Sequence, residues 1–363
     1  MPRVIGIDPG TLSISLCGID DGRLFLDRSM PTADALASPA LVLDELSRAG
    51  AVDLIAGPSG YGLPLTNAQD LSEADLRLAY LSAESEAGGI RGLTSLVRML
   101  AASSLPVVLT PGVVHLASVP AHRKVNRVDM GTADKVCAAA LAISEHASRC
   151  GIAPQDVSAI LLELGGAFSA ALAIDHGRIV DGMGGSSGAM GAHAVGALDG
   201  EVAFLAGTIS KGMLFRGGAS TIADMEDASF DDLTAATTSR AQLAFAAFIE
   251  SSLKAVAALM VNVPDVRDVI VSGRAGTHPR VAAELRRGLA RLVPNASVIP
   301  LAGFASEASR AAQGAAIIAD GLVGGRSAAL VDVLGIRDAS GTVVDHLHVI
   351  TPEAALARLG LSE

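Results

Sequence analysis

The sequence has no tryptophan, two tyrosines and eight phenylalanines among its 363 residues. Half of the chain is nevertheless hydrophobic, and alanine, valine, leucine and isoleucine make up most of that half. This composition is typical of an α/β protein in which aliphatic strands are buried by alanine-rich helices. A chain of this length exceeds most single hydrophobic cores, so we expect two domains.

Cysteines and basic residues are scarce as well. The three cysteines (Cys17, Cys137 and Cys150) form no CxxC pair and are odd in number, so neither a zinc site nor a disulfide framework is indicated. With 27 basic against 38 acidic residues, the net charge is −11. This balance disfavours a nucleic-acid binder, because such a protein needs a basic face.

The start of the sequence shows no basic segment followed by an apolar run, so no signal peptide is indicated. The apolar run from 241 to 263 is interrupted by Glu250 and Lys254. We predict a core helix there, because a membrane span needs a longer uninterrupted stretch. These patterns favour a cytoplasmic protein that binds neither nucleic acid nor a membrane.

A hairpin with a polar bend opens the chain. An apolar strand over 3–8 runs into Asp8-Pro9-Gly10-Thr11, and Ser13 begins a second apolar alternation. Glycine lets backbone N–H groups approach an anion closely, hydroxyls donate to phosphoryl oxygens, and a carboxylate can hold a hydrated cation. The alternative is an ordinary β-hairpin in which aspartate and glycine only form the turn.

The same pattern of strand, acidic bend, strand, tight turn and strand occurs twice, over 3–28 and again over 158–183. In the second copy the bend carries Glu163, Gly165 and Gly166. A repeat of this size predicts two domains of related fold, although two glycine-bearing hairpins can also resemble each other by chance.

A third glycine bend follows the predicted strand over 266–273 and precedes a helix that starts at Pro279. It reads Ser272-Gly273-Arg274-Ala275-Gly276. A further strand over 296–301 and a further helix over 306–321 continue the alternation. This alternation predicts parallel strands joined by crossover helices.

In order and spacing, the three bends resemble the phosphate-1, phosphate-2 and adenosine motifs of the ASKHA superfamily, which unites sugar kinases, acetate kinase, hexokinase, heat-shock chaperones and actin. The resemblance covers about residues 1–321. It implies an α/β fold of two ribonuclease-H-like domains, the actin-like ATPase fold, that close on ATP in a central cleft. We expect the domains to cover 1–130 and 131–363.

Two shorter segments, PSGYGLPL (58–65) and HRKVNRVDMGTADK (122–135), resemble a family of predicted butyrate kinases. That resemblance implies transfer of the γ-phosphoryl group of ATP to a short carboxylate, with an acyl phosphate as product. The His-Gly-Thr-Ser-His block of acetate kinase is absent, and Met130-Gly131-Thr132-Ala133-Asp134 stands near its place. The same transfer chemistry is therefore an open question here.

The resemblance implies ATP and Mg²⁺ as cofactors. Asp8 and Glu163, from two equivalent bends, would hold Mg²⁺ through water, which suits a cation that keeps part of its hydration shell. Around the nucleotide we expect two groups of residues. The phosphate-binding group is Gly10, Thr11, Ser13, Gly165 and Gly166, and the group beside adenosine is Ser272, Gly273, Arg274 and Gly276.

The acceptor side is predicted in the basic segment 123–129. Arg123 and Arg127 would grip a small-molecule carboxylate, because a planar guanidinium matches a carboxylate with two hydrogen bonds. A solvated basic loop is the alternative. Asp129 or Asp134 could serve as a base for a hydroxyl acceptor, whereas a carboxylate acceptor needs no base.

Two other functions therefore stay open, a kinase of a hydroxylated small molecule and an ATPase switch that acts on a partner protein. A homodimer is left open as the assembly state.

Overall fold

Six strands form the first sheet of the computed structural model, which describes residues 2–82, 90–293 and 295–361. The strands are β1 (Arg3–Pro9), β2 (Ser13–Asp20), β3 (Arg23–Pro31), β4 (Leu54–Pro58), β5 (Thr66–Asn67) and β6 (Val107–Thr110). Their spatial order is β3-β2-β1-β4-β6-β5. The first three form an antiparallel meander, and β4 and β6 run parallel to β1.

The second sheet repeats this layout. Its strands are β7 (Ala159–Leu164), β8 (Ser169–Asp175), β9 (Arg178–Met183), β10 (Asp268–Ser272) and β11 (Ser297–Pro300). They lie in the order β11-β10-β7-β8-β9, with an antiparallel meander on one side and two parallel strands on the other. The repeat predicted from the sequence is thus present as two sheets of related topology.

Equivalent tight turns close the two meanders. Asp21 and Gly22 have φ angles of 49° and 76°, and His176 and Gly177 have φ angles of 48° and 70°. Two consecutive left-handed residues are the geometry that matches the right-handed twist of a two-residue hairpin. The duplication therefore extends to the backbone conformation of the turns.

Helices connect and cover the sheets. They are α1 (Thr32–Ala37), α2 (Ala40–Arg48), α3 (Glu73–Tyr80), α4 (Ile90–Ala102), α5 (Ala121–Lys124), α6 (Ala133–Cys150), α7 (Gly200–Ala206), α8 (Lys211–Leu214), α9 (Ala219–Ile222), α10 (Phe230–Ala235), α11 (Ser239–Leu259), α12 (Pro279–Leu292), α13 (Arg310–Leu322), α14 (Ala328–Leu334) and α15 (Pro352–Arg358). Short 3₁₀ helices lie at Ala68–Asp70, Val113–His115, Pro154–Asp156, Met260–Asn262 and Ile336–Asp338.

Helices α6 and α13 pack against each other, and α13 also lies against β1 and β4. The contact is made by small residues, because a β-carbon on Gly314 would overlap the carbonyl oxygen of Cys137 and one on Gly6 would overlap that of Ala312. One apolar core contains residues of both helices and of both sheets. A helix from late in the sequence thus covers the first sheet.

Helix α11, with the 3₁₀ turn that follows it, is long and apolar enough to cross a membrane by length and composition alone. In the structure, 44% of its most apolar stretch is buried. Phe248 and Val256 are fully buried in the core around the second sheet. The helix therefore contributes to the packing of the second sheet, as predicted for the apolar run.

Replacing Gly314 with alanine tests the contact between α6 and α13. Alanine favours an isolated helix by about 1 kcal/mol over glycine, but here its β-carbon would meet the Cys137 carbonyl. We expect the free energy of unfolding to fall by about 1–3 kcal/mol, as for other overpacked sites. Urea denaturation measures this change. The control is Gly200→Ala, because a β-carbon at Gly200 meets nothing within 4 Å. Equal free energies of unfolding for the two variants would contradict the close contact between α6 and α13.

Candidate active site

The three glycine bends meet at one cleft of about 370 Å³. Leu12 of the first bend, Gly165 and Gly166 of the second, and Arg274 and Ala275 of the third line this cleft. The first two bends lie in contact, since a β-carbon on Gly166 would come within 2.7 Å of the Leu12 side chain. The bends that were linked only by pattern in the sequence are therefore neighbours in space.

The third bend is bound to the second through the backbone. The amide of Ala275 donates to the carbonyl of Leu164 at 3.0 Å. Gly273 has a φ of 84°, and a β-carbon there would overlap the same carbonyl. Both the left-handed conformation and the close approach require glycine at this position. Gly276 also approaches Leu164, with a longer hydrogen bond of 3.4 Å.

The opposite wall of the cleft comes from a segment that the sequence analysis did not assign to the site. His193 and Ser220 line it and are joined by a hydrogen bond of 2.8 Å between Nδ1 and Oγ. The segment 226–231, which includes three acidic residues, lines the cleft beside them. His193 lies in a loop of small residues over 182–196, which is a sequence signal that could have indicated this wall.

Asp8 is the penultimate residue of β1 and is buried, with 8% of its surface exposed. Ser309 donates its hydroxyl hydrogen to Oδ2 of Asp8 at 2.6 Å, and its Oγ accepts from the Ala312 amide at the start of α13. Asp27 holds the preceding loop by accepting backbone hydrogen bonds from 306–308. The first bend is thus tied to the beginning of α13, which sequence reasoning missed.

A group of charges lies beside Asp8. The Lys135 ammonium is 2.7 Å from Oδ2 of Asp134 and 2.5 Å from Oε1 of Glu163. Thr132 donates to the other oxygen of Asp134. Asp134 and Lys135 begin α6, whereas Glu163 lies near the end of β7. Two sequence-predicted acids therefore meet at Lys135, which had not been predicted as a site residue.

Burial and charge shift the pKa of each carboxyl. Burial, with the Asp134 carboxylate, raises the pKa of Asp8 to about 7. Burial also raises the pKa of Glu163, against the effect of Lys135. For Asp134, burial acts to raise the pKa, but Lys135 and the hydrogen bonds outweigh it and lower the pKa. The surroundings of Asp8 thus favour its protonated form over its charged form.

The basic segment is bound largely to protein carbonyls. Arg123 donates to the carbonyl of Val180 at 2.7 Å, and the buried Lys124 donates to the carbonyl of Leu116 at 3.0 Å. Arg127 is exposed and makes a longer hydrogen bond of 3.4 Å to a carbonyl of the 184–187 loop. The two predicted arginines therefore differ in how much of the guanidinium is already engaged.

Asp129 is buried under the 184–187 loop. Its Oδ2 accepts from the amide and the hydroxyl of Ser186, at 2.8 and 2.9 Å. Its Oδ1 lies against Gly184 and has no hydrogen-bond partner among the described residues. Burial raises the pKa of Asp129, while the Ser186 bonds act to lower it.

Tyr61 stands beside this carboxylate. Burial and the Asp129 charge raise the pKa of its hydroxyl, which also interacts with the Ser186 side chain. The Lys211 ammonium is 4.8 Å from the centre of the Tyr61 ring. A second cluster of polar side chains thus lies next to the charge group, since the Asp134 charge also acts on Asp129.

The remaining predicted residues lie on the bends. Thr11 is exposed at the tip of the first bend, and Thr32 donates to the carbonyl of Gly10 at 2.7 Å. Ser13 begins β2. Ser272 ends β10 directly opposite Glu163, and its buried hydroxyl has no hydrogen-bond partner within the described residues.

Residues 6–349 match a family described as a protein of unknown function, DUF1464. No curated protein matches the chain. Among solved structures, a propionate kinase from Francisella tularensis is similar with a TM-score of 0.61 and 14% identity, covering 86% of this chain and 99% of that one.

Two other solved structures are similar. An acetate kinase from Entamoeba histolytica gives a TM-score of 0.58 and 12% identity, over 82% of this chain and 95% of that one. A candidate N-acetylmannosamine kinase from Listeria monocytogenes gives a TM-score of 0.51 and 13% identity, over 86% of this chain and 97% of that one. These likenesses confirm the predicted fold class, a mixed α/β fold with two sheets that the chain shares with acetate and propionate kinases. The narrower resemblance to predicted butyrate kinases stays a prediction.

Replacing Asp8 with asparagine tests the cost of its buried charge. An acid whose pKa is raised on folding contributes stability that is complete below its unfolded pKa near 4 and is lost as pH rises through about 7. Asparagine keeps an acceptor for Ser309 and carries no charge. We expect the variant to gain stability over the wild type between pH 5 and pH 8, on the order of 2 kcal/mol. Denaturant titrations at both pH values measure it.

The exposed Asp44 on α2 supplies the matched control. Asp44→Asn should show no comparable change between the two pH values. If the stability difference between Asp8→Asn and the wild type is the same at pH 5 and pH 8, the buried Asp8 carboxylate does not destabilise the folded protein as predicted.

Proposed function

Since the chain belongs to the DUF1464 family and has the fold of acetate and propionate kinases, we propose that it is an ATP- and Mg²⁺-dependent phosphotransferase that forms an acyl phosphate from a short carboxylate. The observation that carries the proposal is the meeting of three glycine bends at one cleft, with the strand-end acids Asp8 and Glu163 beside it. Phosphoryl transfer depends on positioning and on neutralising the phosphoryl oxygens, and such a cleft can do both.

The bends would hold the nucleotide. The Gly165 amide already donates to the carbonyl of Phe168 at 2.9 Å, so the amides of Gly10 and Gly166 would be the backbone donors to phosphate oxygens. Arg274 and Ala275, on the third bend, line the same cleft and would lie along the nucleoside. Thr11 and Ser13 would add hydroxyl donors from the first bend.

The acids fit a magnesium ion that is bound together with phosphate. Within the described residues, no group of three or more His, Cys, Asp or Glu side chains is placed to hold a metal ion. Mg²⁺ does not need such a cage, because it keeps several waters and is usually bound by one or two carboxylates and the substrate phosphates. Asp8 and Glu163 supply oxygen ligands of that kind, and the ion would neutralise phosphate charge.

The acceptor would bind beside Asp129 and Tyr61. Arg127 is the exposed cation of the basic segment and is the residue we propose to bind the carboxylate. Arg123, which donates to Val180, would help to hold the basic segment in place. The similar structures with the higher TM-scores act, by name, on propionate and acetate, and this favours a short acid.

A hydroxylamine trap tests the reaction directly. Hydroxylamine converts an acyl phosphate to a hydroxamate, so the protein should give hydroxamate from ATP, Mg²⁺ and propionate or butyrate. If no short acid gives hydroxamate, a short carboxylate is excluded as the acceptor. ATP turnover that no small molecule changes, but that a protein partner stimulates, would instead support a nucleotide switch.

A hydroxylated acceptor is the second candidate, and one observation favours it. The unpartnered Oδ1 of Asp129 is a base site of the kind that abstracts a hydroxyl proton, whereas Asp134 is already engaged with Thr132 and Lys135. The Listeria structure, a candidate kinase of a sugar derivative, shares the fold.

Asp129→Asn separates the two acceptor classes. A general base contributes roughly 10²–10⁴-fold to rate, so with a hydroxyl acceptor kcat should fall by about that factor while the KM for ATP stays constant. A carboxylate acceptor is already ionised and needs no base, so kcat should change by less than about tenfold. Steady-state kinetics on whichever acceptor the trap or an ADP-release screen identifies gives the answer.

A further inference from the structure

Lys135 is placed among the acids where a bound cation would be expected. Its ammonium lies 2.7 Å from Asp134 and 2.5 Å from Glu163, and its side chain is only 14% exposed. Asp8 is close enough for the charges of these two carboxylates and of the lysine to act on it. One positive group therefore faces three acidic ones at the edge of the proposed phosphoryl cleft.

The stability of α6 does not explain this arrangement. Lys135 lies in the first turn of the helix, where the helix dipole disfavours a positive charge. Successive helix residues project in different directions, yet the side chains of Asp134 and Lys135 meet. Taking an ammonium out of water is also costly unless its partners are well placed. The lysine is thus held by the acids of the cleft, not by its helix.

A lysine ammonium can leave one set of oxygen partners and move to another. It is a compact charge on a flexible four-carbon chain, with three donors that can rotate from one set of oxygens to another. Phosphoryl oxygens are acceptors of the same type as the carboxylate oxygens that it now contacts. Binding of a triphosphate would bring those oxygens to the bends beside Glu163.

We propose that Lys135 is a built-in cation of this cleft, which takes the place of a divalent metal between Asp134 and Glu163 in the nucleotide-free protein and moves to the phosphoryl oxygens when a nucleotide binds. The inference rests on the proposed function for its second half, because that half needs a nucleotide in the cleft. Its first half concerns only this chain and a metal ion.

Two consequences follow from this role. Without nucleotide, a metal ion has to compete with the ammonium for the carboxylates, so the free protein binds it weakly. Without metal, a nucleotide still meets one cation, so some binding remains. Glu163 competes with the phosphates for Lys135, and removal of the Glu163 charge should strengthen metal-free binding.

Terbium luminescence tests the first half without nucleotide. We expect Lys135→Met to bind Tb³⁺ at least tenfold more tightly than the wild type, and Lys135→Arg to remain close to the wild type. Lys254→Met removes an exposed lysine that pairs with Glu250 on α11 and is the matched control. Equal terbium affinity of the wild type and Lys135→Met would overturn the metal-surrogate role.

Calorimetric titration of ATP in EDTA tests the second half. Glu163→Gln should bind metal-free ATP at least threefold more tightly than the wild type, and the double variant Lys135→Met/Glu163→Gln should lose that gain and bind at least tenfold more weakly than Glu163→Gln. The double variant removes one charge of each sign, so it keeps the charge balance of the cleft if Lys135→Met alone does not fold.

The outcomes separate the two proposals. Unchanged ATP affinity in Glu163→Gln and in the double variant would overturn the role of Lys135 toward phosphate. If the wild type binds no ATP with or without Mg²⁺, the proposed function fails, whereas the terbium titration still decides whether Lys135 stands in for a metal.

Discussion

The contact between α6 and α13 determines where the functional groups lie. Both helices begin at the cleft, so their close approach at Gly314 brings Asp134 and Lys135 from one N-terminus and Ser309 from the other to the ends of the first strands. A side chain at this contact would separate the helices and, with them, the two sheets. The spacing of the carboxylates therefore depends on the small residues buried in this contact, since packed cores transmit such shifts.

Charge balance is the second constraint on the cleft. Three carboxylates with little solvent would repel one another, and the structure relieves this in different ways. Lys135 neutralises Asp134 and Glu163, whereas Asp8 has only the Ser309 hydroxyl and a raised pKa. The charge group therefore keeps an excess of acidic over basic side chains, which is the charge that the proposed Mg²⁺ would offset.

The strands, the bends and the duplication could be predicted because their signals are local: apolar alternation, an acid and glycines within a few residues. Ser309 could not, because it lies 301 residues from Asp8 and reaches it only through the packing of α13. Lys135 was next to a predicted acid, but a sequence does not show that two successive helix residues face one partner. For the arginines of the basic segment, the sequence shows the charge but not which backbone carbonyls accept hydrogen bonds from them.

The protonation state of Asp129 bears on the choice between the two acceptor classes. An ionised Asp129 can take a proton from a hydroxyl but repels a carboxylate, whereas a protonated Asp129 can donate a hydrogen bond to a carboxylate and cannot act as a base. Burial favours the protonated form and the two Ser186 hydrogen bonds favour the ionised one, with burial the stronger. Burial thus shifts the pKa of Asp129 in the direction that suits an anionic acceptor.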